Sequence, residues 1–263
     1  MLKQRALTAV VALGALFFVL YVLPPVVAKA VIAALILAGA WEWSAFLGLR
    51  THATRLIFVA LIAVLLAVAS VSVADEFAVG VVLKVALAWW LAALFWTFFF
   101  PTPIPKPAGW VCGALVLIPA YLAIILLYSL QPALLLFALV IVWAADIGAY
   151  FTGRHIGKVK LAPKISPGKT WEGVLGGLFA VAVLALIQAR WLDIDIAMLL
   201  PFCLAVAIIS VIGDLTVSMF KRNAGIKDSG RLFPGHGGVL DRIDSITAAA
   251  PLFVLGVSWV GLK

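Results

Sequence analysis

The chain has 263 residues, 66% of them hydrophobic and 11% charged, with a formal net charge of +8. A soluble domain carries about 25% charged residues, and a mean hydropathy of +1.23 is more than a water-soluble core can absorb, so a soluble fold is excluded and lipid is the expected solvent. The basic excess therefore speaks for loops on the cytoplasmic side of a membrane rather than for nucleic acid.

Apolar stretches of span length follow one another at residues 6–23, 26–49, 56–74, 79–100, 110–128, 134–153, 174–192, 196–220 and 246–262. Continuous apolarity predicts helices, because barrel strands would alternate. The expected fold class is thus all-α: a polytopic transmembrane protein of about nine spans. Prolines punctuate the connections at Pro24-Pro25, at Pro101, Pro103, Pro105 and Pro107, and at Pro132. The first stretch has the look of a signal peptide, with Ala28 and Ala30 as a small-x-small pattern. Its length and the spans beyond it favour an uncleaved helix. Cys112 and Cys203 lie in separate apolar runs without ligand spacing and read as packing residues.

Orientation follows from the basic residues. With the N-terminus inside, all of the 19 Lys and Arg except Lys29, Lys84, Arg190 and Lys263 fall on the inner side or at inner helix ends. This asymmetry predicts N-in, C-out, in a bacterial-type inner membrane. Residues 1–130 are nearly all span and short loop. Residues 131–263 hold two long polar connections, 154–173 and 221–245, both expected on the cytoplasmic face.

Of the 11 acidic residues, Asp75, Glu76, Asp193 and Asp195 sit in outer loops and Glu42 near the inner end of the second span. The others, Asp146, Glu172, Asp214, Asp228, Asp241 and Asp244, gather around the two polar connections. A carboxylate at membrane depth costs several kcal/mol unless paired or metal-bound, so Asp146 and Asp214 are functional candidates, with a structural ion pair as the plainer alternative. Asp214, Ser218 and Lys221 or Arg222 recur at helical steps and share one face. Asp241, Asp244 and Ser245 share another if the last helix starts there. Two carboxylate-bearing helix ends suit Mg²⁺, which takes few protein ligands alongside phosphates. Between them lie Gly225, Gly230, Gly235, Gly237 and Gly238, whose backbone can approach phosphate oxygens, with Lys221, Arg222, Lys227 and Arg231 as counter-charges. His236 either donates to a phosphate or orders the loop. In the other connection, Ser166, Lys169, Thr170 and Glu172 form a polar cluster ahead of a helix, a suitable anion seat. Gly168-Lys169-Thr170 is not a Walker A motif, because the earlier glycine and the βαβ context are missing. A capping box on Thr170 fits poorly, with Gly173 at its third position.

These residues resemble the signature of the phosphatidate cytidylyltransferases, also called CDP-diacylglycerol synthases. The pattern is carried by Ser218, Lys221, Arg222, Lys227, Asp228, His236, Gly237, Gly238, Asp241, Arg242 and Asp244, with no departure, and Ser166 to Gly173 also resembles the family. The detailed match covers about the last 120 residues. The resemblance implies cytidylyl transfer from CTP to phosphatidate, with CDP-diacylglycerol and pyrophosphate as products. It implies Mg²⁺ with K⁺ as a second cation, Asp214, Asp241 and Asp244 as metal ligands, and a homodimer. Catalytic roles are expected for Asp214, Lys221, Arg222, Lys227, Asp228, Asp241 and Asp244. Substrate contacts are expected from Ser166, Lys169, Thr170, Glu172, Ser218, His236, Gly237, Gly238 and Arg242. The alternative is an ion-coupled transporter using Asp146 and Asp214, which would call for inverted repeats; the charge here is confined to one half and one side.

Overall fold

The computed structural model describes residues 2–230, 232 and 237–262, with the side chains of all of these except 2–7 and 9. Among them run α1 (Leu2–Tyr21), α2 (Pro25–Phe46), α3 (His52–Ser72), α4 (Glu76–Phe98), α5 (Lys106–Leu130), α6 (Pro132–Ile156), β1 (Lys160–Ala162), β2 (Ser166–Thr170), α7 (Trp171–Leu192), α8 (Ile196–Asn223) and α9 (Leu240–Val257). Proline opens α2 and α6 at the first helical position and stands at the second in α5, in the first turn where the missing N–H costs nothing. Asp75 and Asp195 cap α4 and α8 by accepting backbone N–H groups.

The chain is an all-α polytopic membrane protein. Seven helices, α2 to α8, are long and apolar enough to cross a bilayer. Their outward faces carry large exposed apolar side chains such as Val71, Phe95, Phe179 and Trp191, as lipid contact requires. The last helix differs. It packs against α2, α4, α5, α6 and α8, and Thr247, Ala248, Ala249, Ala250 and Phe253 are fully buried. Because protein rather than lipid surrounds α9, it tolerates Asp241, Arg242 and Asp244 in its first turns.

Helices α6 and α7 touch at backbone level, through small residues as membrane helices do. A Cβ added at Gly148 would stand 2.7 Å from the Gly176 carbonyl oxygen, and one at Gly177 would stand 2.6 Å from that of Ala145. Gly177→Val should therefore force the pair apart, at about 1–3 kcal/mol for overpacking. The expected result is a lowered thermal midpoint of the detergent-solubilised protein. Gly80→Val, with no atom within 4 Å of the added Cβ, should leave that midpoint unchanged.

The first polar connection contains a small hairpin that helical periodicity does not announce. β1 and β2 pair antiparallel, with Lys160 opposite Thr170 and Ala162 opposite Ser166. The second connection is shorter than expected. α8 continues to Asn223 and α9 already begins at Leu240, which turns Asp241, Asp244 and Ser245 into helical residues.

Candidate functional site

The hairpin delivers Lys169 to α8. Its Nζ lies 2.6 Å from Asp214 Oδ2, and both side chains keep 26% of their surface exposed. Ser218, one turn further along α8, donates its hydroxyl to Asp214 Oδ1 at 3.1 Å. Of the expected α8 face, Asp214 and Ser218 are thus paired, while Lys221 and Arg222 engage other partners; Lys169 from the other connection joins the pair. The pair borders an open cavity of about 500 Å³ lined also by Asp146, Tyr150, Arg154, Ser166 and Thr170. Arg154 donates to the Tyr150 hydroxyl at 2.7 Å. Asp146 lies where the charges of Asp214, Lys169 and Arg242 act on it.

Lys221 turns the other way. Its Nζ sits 2.8 Å from Asp241 Oδ1, in a pair less than half as exposed as the first. Asp241 Oδ2 accepts the N–H groups of Ser229 and Gly238, each at 2.9 Å. Three donors, the Lys221 ammonium and the two amides, thus compensate the charge of this half-buried carboxylate. Gly237, at φ +85°, lies so close that a Cβ would stand 2.5 Å from Asp241 Oδ2. Asp241 therefore draws both ends of the glycine loop onto the end of α8.

A second carboxylate, from α2, grips the same loop at the same residue, Ser229. Glu42 on α2, buried at 8% exposure, accepts the Ser229 hydroxyl at 2.8 Å and the N–H groups of Val239 at 2.9 Å and Leu240 at 2.7 Å. No side chain of α9's own N-cap does this. An anion at a helix N-terminus also meets the positive end of the helix dipole. Gly230 and Gly238 press so closely on the Glu42 carboxylate that a Cβ at either would collide with it. Sequence reasoning placed Glu42 in the second span but gave it no role. The available signal was that it is the one acid lying inside an apolar stretch of the first 130 residues.

Several expected substrate residues are engaged in holding the site together. Thr170 is buried, and its Oγ1 accepts the Gly173 N–H at 3.1 Å, so it does cap α7; Gly173 has no side chain to complete a box, but the single bond forms without one. Glu172 accepts the Val159 N–H at 3.1 and 3.2 Å and closes the base of the hairpin. Arg222 donates to the carbonyl oxygens of Ile165 at 3.0 Å and Ile226 at 3.4 Å, tying the hairpin to the end of α8. Lys227, Asp228 and Arg242 are exposed. His236 lies outside the described residues.

Among the described residues, no three His, Cys, Asp or Glu side chains stand together as a metal site. Asp241 has both oxygens occupied by donors. Asp214 and Asp244 stand on the packed helices α8 and α9. Gly213 approaches the Asp244 carbonyl so tightly that a Cβ would stand 2.7 Å from it, and the two carboxylates act on each other electrostatically. Asp214 likewise has both oxygens engaged, by Lys169 and Ser218, and Asp244 Oδ1 accepts the Ser245 N–H at 2.9 Å, so a cation that takes two carboxylates and completes its shell with phosphates and water would have to displace a donor at any of the three.

The sequence profile of the cytidylyltransferase family matches residues 3–260. The chain is 43% identical to the phosphatidate cytidylyltransferase of Pseudomonas aeruginosa over 262 residues, covering 96% of each chain. It is 39% identical to that of Haemophilus influenzae, covering 96% of this chain and 97% of the other. Over 122 residues, 46% of this chain, identity to the Brucella suis enzyme of the same name is 48%.

Proposed function

This chain belongs to the cytidylyltransferase family, and from that premise we propose that it transfers a cytidylyl group from CTP to phosphatidate at the cytoplasmic face of the membrane. A phosphate oxygen of phosphatidate forms a bond to the α-phosphorus of CTP, the bond to the β-phosphate breaks, and pyrophosphate leaves. The observation that carries this reading is the polar cavity at the Lys169–Asp214 pair, set into an otherwise apolar bundle. The attacking phosphate is already anionic, so no activated hydroxyl or thiol is required. The task is to bring two polyanions together in line, which is mostly positioning and charge compensation.

Lys169 and Arg154 line the cavity and would receive phosphate oxygens. Ser218 holds Asp214 in place from one turn away. The glycine loop, fixed by Asp241 and Glu42, would bring Lys227 to the nucleotide phosphates, and the first turn of α9 would bring Arg242. Mg²⁺, with K⁺ as a companion cation, would be held by Asp214 and Asp244 and would neutralise charge on the α-phosphate and the departing pyrophosphate. Asp241 would join the ligands only by releasing Lys221. The remaining expectations, nine spans with α1 and α9 included, N-in and C-out, and a homodimer, complete the proposal. CTP then arrives from the cytoplasm and lipid from the bilayer.

The test is incorporation of radiolabelled CTP into lipid by the purified full-length protein with phosphatidate and Mg²⁺. Labelled CDP-diacylglycerol with equimolar pyrophosphate is the expected result, and no label in lipid would sink the proposal. Asp241→Asn loses the Lys221 pair, and its activity should fall at least tenfold without recovery at raised Mg²⁺. Recovery of that variant by Mg²⁺ would instead place Asp241 among the metal ligands.

A further inference from the structure

Beside the polar cavity lies a second, apolar groove of about 460 Å³. Phe98 and Phe100 at the end of α4, Trp171 in the first turn of α7, and Ile208 on α8 form its walls together with the hairpin turn. The two spaces adjoin, since Val174 and Val211 line both. Along α8, Val211 lies one turn from Asp214, and Ile208 lies about 9 Å from it at 1.5 Å per residue. At 3.6 residues per turn Ile208 is also about 120° round α8 from Asp214, so a molecule reaching from the Lys169–Asp214 pair to this apolar wall turns partly round α8 as it runs along it. Lys164 is the charged residue of the groove lining.

We infer that this groove seats an acyl chain of the phospholipid acceptor, with the phosphate in the polar cavity. The assignment rests on phosphatidate being the acceptor and adds where its tail lies and which residues select it. A hydrocarbon chain suits the groove because it needs no hydrogen-bond partners. A peptide laid there would bury backbone N–H and C=O groups against side chains that cannot satisfy them. A nucleotide has no group for the apolar half. The basic Lys164 and Lys169 flank the path of an anionic head. Ile208, 48% exposed at the far part of the groove, is placed to set how much chain is accommodated.

The test uses full-length protein in nanodiscs with dioleoyl and dihexanoyl phosphatidate as alternative acceptors. Ile208→Trp should lower kcat/KM for the dioleoyl substrate about tenfold more than for the dihexanoyl one, with KM for CTP unchanged. A phosphatidate carrying a photoreactive diazirine in its acyl chain should label peptides from α8 and the hairpin, and unlabelled phosphatidate should compete that label away. An unchanged ratio between the two substrates in a folded, active variant overturns the groove. So does label spread over the lipid-facing helices without competition. If the unmodified protein converts neither substrate, the proposed reaction fails, while the labelling experiment still decides the groove.

Discussion

Glu42→Gln is expected to reduce cytidylyl transfer by about one to two orders of magnitude, although Glu42 lies on α2, far in sequence from the two polar connections. The carboxylate accepts three donors at once, from Ser229, Val239 and Leu240. An amide has one oxygen, so its NH₂ group must face at least one of these donors. Each buried donor left unsatisfied costs about 1–3 kcal/mol, and every 1.36 kcal/mol of transition-state stabilisation is a factor of ten in rate. The loop cannot relax by sliding, because Gly230 and Gly238 already touch the carboxylate. Glu42→Ala should be worse, with a lowered thermal midpoint as well. Activity of Glu42→Gln within threefold of the unmodified protein, measured by CTP incorporation, would show that the grip from α2 does not matter to the reaction.

Asp214→Asn should lower turnover by about two to three orders of magnitude, the range seen when one preorganised electrostatic group is removed from a reaction centre. The Lys169–Asp214 pair offers a sharper distinction. Breaking a partly buried pair by removing one partner leaves the other uncompensated, whereas removing both can be nearly neutral for stability. Lys169→Met combined with Asp214→Asn should therefore recover much of the thermal stability that either single change loses. It should not recover activity if the two groups act on phosphates. Recovery of both together would reduce the pair to a structural brace.

Helical spans were legible in the sequence because apolar length is a direct demand of the bilayer; the α8 stretch starts at Ile196 in both readings, and α2 differs by one residue at its start. The start of α9 was not, because hydropathy falls where Asp241 and Asp244 begin the helix. The Asp214–Ser218 face followed from a period of 3.6 and is present. The partners of Asp241 and Glu42 did not follow, since loop amides have no signature in the sequence. The hairpin was hidden for the same reason: β2 includes Pro167 and Gly168, which read as loop, and five residues cannot show a strand alternation clearly. Lys169 meeting Asp214 joins two connections, and spacing along one helix says nothing about that.

The burial of α9 has a consequence for how the molecule comes into being. A segment that opens with Asp241, Arg242 and Asp244 has little tendency of its own to leave the translocation machinery for lipid. Its place is a slot between α2, α4, α5, α6 and α8, which must be in the bilayer before that slot exists. The Glu42 grip on Leu240 then closes only when the late helix arrives. A ribosome-attached intermediate ending before α9 would be an assembled but catalytically silent bundle, so enzymatic competence would appear in one step, with the arrival of the final helix.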